Sequence, residues 1–382
     1  MKQTMSLINH KRVLPMFLLF SMLFDLSAYA APPPTRLPQT GQKTCYQPKD
    51  NTVIACDGSG QDGDTLTGVA WPGERFKDNG DQTVTDKLSG LVWIKDANPT
   101  RGYKTWQQAL DYIKFMNIKN YQGDNDWRLP NLNELESLVN KQPNLAPWLK
   151  SQGFLDVMTD YYWTSTTYAT YPNYAWSVSM HSGLVAGRGK ADGGYLWPVR
   201  SGDSGVLTIA KTGQTVCHDS SGTALPCAGT GQDGELQAGA AWPNPRFTDN
   251  TDETVTDRLT GLIWAKEAKA PGPMACNPGT TKAWQEALDY IKCLNAGNYL
   301  GKRDWRLPNR NELASLVNHG QANNADWLNK QGFSSVQASS YYSSTTYADV
   351  LWNAWSIGMH DGAVTSNAKM RAINVWPVRS GD

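Results

Sequence analysis

Net charge is missing from this chain: 35 basic residues offset 35 acidic ones. That balance removes bulk attraction to nucleic acid or to an anionic membrane surface. Long apolar runs are also missing once the first 30 residues are passed, so no second candidate membrane span is present. Histidine is limited to five residues, which leaves few imidazoles for general-base or metal chemistry. No G-x-S-x-G elbow accompanies the hydroxyl-rich segments at Ser165 and Ser344, so the hydrolase reading is weak. No glutamate stands after the aspartate-rich turns at the spacing of an EF-hand loop.

The one apolar run that is present belongs to an expected signal peptide, residues 1–30. Lys2, Lys11 and Arg12 give a basic start, residues 13–26 are mostly apolar, and Ala28-Tyr29-Ala30 is a small-x-small cleavage site. Position 31 is alanine rather than cysteine, which argues against lipid anchoring. The expected mature chain is soluble and secreted, periplasmic or at the cell surface, without a membrane span and with a net charge of −2.

Beyond the leader the chain repeats itself. Cys45 and Cys56, Trp71, Trp93, a WQxALDYIK helix, a DWRLPN junction, an STTYA stretch and WPVRSGD are answered by Cys217 and Cys227, Trp242, Trp264 and the same motifs, ending at Asp382. The period is one domain long, too long for a solenoid turn. The expected organisation is a proline-rich lead-in at 31–39, a first copy at 40–203, a linker at 204–211 and a second copy at 212–382. All six cysteines lie beyond the leader, and an even count in an oxidising compartment reads as local disulfides Cys45–Cys56, Cys217–Cys227 and Cys276–Cys293. Zinc, the competing reading, needs clustered Cys/His ligands, and only His218 lies beside a cysteine.

Within a copy, Arg75-Phe76-Lys77, Thr83-Val84-Thr85 and Leu91-Val92-Trp93-Ile94 are separated by turn formers and predict hairpins. Trp106, Ala109, Leu110, Ile113 and Met116 fall at helical spacing, as do Trp284, Ala287, Leu288, Ile291 and Leu294. Thr105 with Gln108 forms a capping box, which Ala283 loses in the second copy. A second helix starts after Pro130 and Pro308, capped by Asn131 with Glu134 and by Asn309 with Glu312. Hairpins, two helices and further strands predict an α+β fold with helices on antiparallel sheet.

Asp78, Asn79, Asp81 and Asp86, echoed by Asp249, Asn250, Asp252 and Asp257, crowd oxygen ligands on a turn in a way that suits calcium. The same residues bond their own backbone in tight turns. Glu134 and Glu312 could pass for catalytic acids, but their place three residues after an Asn cap already explains them. Arg128, Arg306, Arg200 and Arg379 recur inside apolar runs and fit structural ion pairs. One histidine position recurs, His181 and His360, each before an x-Gly turn. The 16 tryptophans mostly recur, as core packing requires; Trp163, Tyr171 and Tyr174, however, face Tyr342, Val350 and Asn353, and Trp352 answers Asn173. The stretches 168–174 and 184–195 thus change polarity on a constant scaffold, as binding surfaces do and as plain surface drift also does.

The combined motifs TGQDG, TVTD, GL-x-W, WQxALDYI, DWRLPNxxEL, STTYA and WPVRSG strongly resemble one bacterial family, that of the C-terminal domain of the collagen-like adhesin Lcl, first catalogued as a domain of unknown function. The resemblance covers nearly the whole mature chain, twice. It implies an extracytoplasmic module, and its WRLP step and closing aromatic–Pro–Val–Arg strand are similar to those of the C-type-lectin-like superfamily, which includes the formylglycine-generating enzymes. That likeness implies two tandem C-type-lectin-like domains with ligands held by the loops before the last strand, 168–174 and 184–195, and 347–353 and 363–374. The adhesin's domain is associated with sulfated glycan, although this chain lacks the collagen-like repeat. The expected function is a non-enzymatic, adhesin-like binding module for glycan or a surface ligand. Its expected contacts are Trp163, Tyr168, Tyr171, His181, Arg188 and Lys190, with Tyr347, Trp352, His360, Lys369 and Arg371. Aromatic faces would stack on sugars, and cations would pair with sulfate or carboxylate. No cofactor is expected beyond possible calcium. The alternatives are a structural envelope or appendage protein whose tandem domains pack together, and an oxidase of the formylglycine-generating type. The oxidase needs a cysteine pair in the late loops, where none lies beyond 293.

Overall fold

The computed structural model describes residues 32–381, so the expected signal peptide lies outside the described residues. The first copy opens with a disulfide hairpin of β1 (Cys45–Tyr46) and β2 (Val53–Ile54), closed by Cys45–Cys56, and a short helix α1 (Asp62–Thr65). A meander of β3 (Phe76–Asp78), β4 (Thr83–Asp86) and β5 (Leu91–Ile94) succeeds it. Three helices come next: α2 (Trp106–Ile118), α3 (Leu132–Ser137) and α4 (Leu145–Ser151). The copy ends with β6 (Tyr161–Thr167), β7 (Tyr174–Ser179), β8 (Val185–Gly189) and β9 (Val199–Ser201). Strand β9 returns to pair antiparallel with β5, giving the sheet order β3-β4-β5-β9.

The second copy repeats this plan. It has β10 (Cys217–His218), β11 (Ala224–Leu225), α5 (Asp233–Leu236), β12 (Phe247–Asp249), β13 (Thr254–Asp257) and β14 (Ile263–Ala265). These lead to α6 (Trp284–Ala296), α7 (Arg310–Ser315) and α8 (Asn324–Asn329). Strands β15 (Ser340–Thr346), β16 (Asn353–Gly358), β17 (Val364–Ala368) and β18 (Val378–Arg379) complete it. The fold is therefore mixed α/β with antiparallel sheets in two repeated halves. Two helices per copy go beyond the two that periodicity predicts, the four-residue α1 or α5 and the short α4 or α8, because each is too short to show an apolar stripe.

The helices form where the spacing places them. Trp106, Ala109, Leu110, Ile113 and Met116 are buried on α2, and Thr105 and Gln108 make the reciprocal capping bonds. In the second copy Glu286 still accepts the Ala283 N–H at 2.9 Å, so half of the box survives without the threonine. Asn131 and Asn309 cap α3 and α7, and Glu134 and Glu312 each also take a bidentate arginine, Arg128 or Arg306. Burial pushes the Glu134 carboxyl above its ordinary range, and Arg128 pulls against it. Arg200 and Arg379 pair with Asp124 and Asp304, each at 3.0 Å.

The two copies are interlocked. Strand β8 meets β17 at Val185 and Val364, so β6-β7-β8 and β17-β16-β15 form one six-stranded sheet. One hydrophobic core runs through both copies, from Phe76 to Val378, and residues 33–381 form one compact unit. Each copy's N-terminal arm docks on the other copy's body. The Gln42 side chain accepts from the Thr346 N–H and donates to the Thr346 carbonyl, both at 2.8 Å. Gln214 does the same to Thr167, at 2.7 and 2.8 Å. The buried Asp62 carboxylate accepts the hydroxyls of Thr40 from its own copy and Thr345 from the other, each at 2.6 Å. Asp233 joins Thr212 and Thr166 in the same way, at 2.6 and 2.7 Å. Between the copies Arg310 pairs with Glu136, both largely buried, where the equivalent positions are Leu132 and Ala314.

Candidate functional site

The segments whose polarity differs between the copies are two equivalent loops at the ends of β6 and β15. Their backbones are the same. Tyr168 and Tyr174 close the first loop through the Tyr168 N–H and the Tyr174 carbonyl at 3.0 Å, and Tyr347 and Asn353 close the second, also at 3.0 Å. The side chains are not the same. Tyr171 is 58% exposed and Tyr174 37%, and with Tyr168 they form a cluster with ring centroids 5.7 and 6.1 Å apart. In the second loop Trp352 is 53% exposed beside Val350 at 43%.

Each loop is held by the opposite copy. Tyr168 donates its hydroxyl to Asp361 at 2.7 Å, and His360 lies 3.1 Å from the same carboxylate. Thr170 donates to the Ala322 carbonyl at 2.9 Å. The disulfide hairpin closed by Cys217–Cys227 presses on this loop at Gly222, where a Cβ would lie 2.8 Å from the Asn173 nitrogen; its φ of +90° also favours glycine. The first copy's disulfide hairpin does the same for the second loop. There the Asn51 amide faces the Leu351 carbonyl and the Trp352 Nε1–H, and with its oxygen and nitrogen exchanged it donates to the first at 2.8 Å and accepts the second at 3.1 Å. Asp349 is pushed up by burial, with the charge of His181 pulling it down. Site one thus carries an acid and a histidine from the second copy, whereas site two meets neutral Ser182 beside His181.

Burial corrects part of the expected contact set. Trp163 is fully buried, donates Nε1–H to the Lys104 carbonyl at 2.8 Å and packs against Gly194, so it offers no ring face to a ligand. Lys190 and Lys369 are also buried, 1% and 2% exposed. Lys190 donates to the His218 and Asp219 carbonyls, both at 3.1 Å, and lies 4.0 Å over Trp106; Lys369 lies 4.4 Å over Trp284 and 5.8 Å from Tyr46. Desolvation lowers Lys190 to about 7 and Lys369 to about 8. Lys190 anchors the opposite copy's hairpin and Lys369 sits beneath its equivalent, so neither faces solvent. Tyr347 is 7% exposed and packs edge-on against Trp355 at 4.9 Å. Arg188 stacks on Tyr161 at 4.9 Å and donates to Gly193, away from the loop tip. Arg371 is exposed and bonds Asn367, and His181 and His360 are exposed. Tyr171, Tyr174, Trp352 and His360 are therefore what the structure brings to the surface of the two loops, with Asp361 buried beneath the first. Asp361 escapes a residue-by-residue reading because its partner Tyr168 comes from the other copy; the Ser182-to-Asp361 difference is the available signal.

The aspartate-rich turns are corrected as well. Asp86 is saturated by Arg75 (2.9 Å twice), the Leu88 N–H and Ser89, and Asp257 by Arg246, Leu259 and Thr260. Asp78 and Asp249 bond Lys95 and Lys266 and the Gly80 and Thr251 N–H groups. Asp81, Asp252, Asn79 and Asn250 bond the threonines of their own hairpins. The oxygens that suggested calcium close turns and ion pairs, and among the described residues no group of three or more Asp, Glu, His or Cys side chains could hold a metal. All three expected disulfides are formed, with Cα–Cα separations of 5.2, 5.2 and 5.7 Å. No helix among the described residues is long and apolar enough to cross a membrane.

A repeated mixed α/β body with aromatic loops held by its own twin is the architecture this chain presents. The model of the Lcl C-terminal domain matches residues 82–200 and 253–379, more than half of the chain, and the protein belongs to that family, with the domain present twice in tandem. The N-terminal arms that dock on the opposite copy lie outside the matched segments. No curated protein matches the chain.

Proposed function

We propose that the chain is an exported, non-enzymatic, adhesin-like module that recognises a glycan or a surface ligand through the two composite loops. The observation that carries this is the exposure of Tyr171, Tyr174 and Trp352 on loops clamped by the opposite copy. An aromatic side chain on a rigid loop presents a large apolar face with little conformational entropy left to lose on binding. Membership in the Lcl C-terminal domain family is compatible with binding. A C-type-lectin-like relationship fits the placement of these loops before the last strand of each copy. Export is supported by the three disulfides, which persist in oxidising compartments. Against an oxidase, every cysteine is consumed in a disulfide.

The test is a glycan array, including sulfated polysaccharides, on residues 32–381 with calcium and with chelator. Binding is expected to be indifferent to chelator, because the turn oxygens are already bonded. Tyr171→Ala with Tyr174→Ala, or Trp352→Ala, is expected to weaken a hit at least about tenfold, as loss of an aromatic anchor typically does. No hit, or hits untouched by these variants, would remove the glycan reading in favour of envelope partners.

A further inference from the structure

The two copies differ in what covers the long helix. In the second copy the segment 269–281 is seven residues longer than its counterpart 98–103. It lies against α6: Gly272 (φ +145°) approaches Leu294 so closely that a Cβ would stand 2.6 Å from its Cδ2, Pro273 reaches Gly297, and Tyr290 donates its hydroxyl to the Pro271 carbonyl. The Cys276–Cys293 bond staples it in place. Tyr290 is 4% exposed as a result.

The first copy has the same helix without the cover. Tyr112, Phe115 and Ile118 stand where Tyr290, Cys293 and Ala296 stand in α6. Phe115 is 54% exposed and Ile118 78%, and Tyr112 is half-buried with a hydroxyl that bonds nothing among the described residues. The chain's other Ala-Pro-x-Pro run, at 31–34, does not supply the cover. Its third residue is proline, which cannot take the positive φ of Gly272, and Pro33 packs at Gly261 instead. Lys119, standing where α6 ends at Gly297, places its ammonium 5.8 Å over Phe115 and adds a cation at the end where Pro273 packs in the second copy.

We propose that this open face of α2 is a docking site for an extended, proline- and glycine-bearing apolar segment of a partner protein. The segment has an acidic residue beside Lys119 and a backbone carbonyl that accepts the Tyr112 hydroxyl. The second copy shows the occupied form of the same face, made in cis. This surface is separate from the aromatic loops and does not depend on their role.

The probe is a synthetic peptide of residues 268–278 with Cys276→Ser, titrated into the isotope-labelled protein of residues 32–381. Saturable amide shifts confined to α2 and to residues 96–104 are expected. They should vanish in Ile118→Asp and weaken about two- to tenfold in Tyr112→Phe, the range of one hydrogen bond. A peptide that also carries Pro273→Asp should bind more tightly than the parent. Grafting 269–281 in place of 98–103 with Phe115→Cys should form the new disulfide and abolish peptide binding while the fold is kept. Shifts absent at millimolar peptide, shifts mapping elsewhere, or binding that survives Ile118→Asp or the graft would overturn the proposal.

Discussion

A single copy, residues 32–203 or 204–381, is expected not to unfold cooperatively as a monomer, whereas the two halves mixed together should recover the melting transition of the intact chain. The cause lies in what each half would expose. Without its partner, the first half leaves the Gln42 amide, the Asp62 carboxylate and the face under the Cys45–Cys56 hairpin with no body to dock on. Its own Thr166 and Thr167 lose Asp233 and Gln214. A buried polar group stripped of its partner costs about 1–3 kcal/mol, and several are stripped at once. The apolar core that runs through both copies is also cut open. Against a total stability of about 5–15 kcal/mol for a native protein, the loss is decisive. Calorimetry and sedimentation of each half and of the mixture check it; a monomeric half melting near the intact chain would contradict it.

The second large effect is on pH. Asp62 and Asp233 are each raised from 3.8 to about 6, chiefly by burial, with their paired threonine hydroxyls pulling the other way. Glu312 and Arg306 face Asp62, and Glu134 and Arg128 face Asp233. An acid whose folded pKa lies above its unfolded value holds its proton more tightly in the native state. Its contribution is therefore fully present below about 3.8 and is lost as pH rises through about 6. His319, lowered from 6.5 to about 4 by burial between the copies, acts in the opposite direction over an overlapping window. The clean readout is thus the difference between the native chain and Asp62→Asn with Asp233→Asn. Asparagine keeps an acceptor for both threonines and does not titrate in this range. From pH 4 to pH 7.5 the native chain should lose stability relative to the variant by roughly 2–3 kcal/mol per site. Urea unfolding at the two pH values measures it; parallel profiles would contradict it.

Much of the fold was legible in the sequence because the signals were local. The stripe from Trp106 to Met116, the Asn131 cap with Glu134 and the paired cysteines act within a few residues, and the structure places each as its chemistry requires. The interlocking was not legible. Gln42 and Thr346 are distant in sequence, and no periodicity or turn signal connects them. The same distance explains the mixed outcome at the site. Tyr171 and Trp352 show themselves as positions where the copies differ, and they are exposed. Trp163 differs too, and Lys190 lies within a differing stretch, yet both are buried, because a difference in residue type does not say which face of the sheet a side chain occupies or whether the other copy's hairpin covers it. The aspartate turns looked like a cation site because bonding to one's own backbone and bonding to calcium use the same oxygens in the same turn.

The most direct measurement of the reciprocal bracing is hydrogen–deuterium exchange on the chain with Cys217→Ser and Cys227→Ser. If each loop is held by the opposite copy's hairpin, opening the second copy's disulfide should speed exchange in the first copy's 168–174 loop and leave 347–353 unchanged. Acceleration confined to residues 215–230, with 168–174 protected as before, would contradict it.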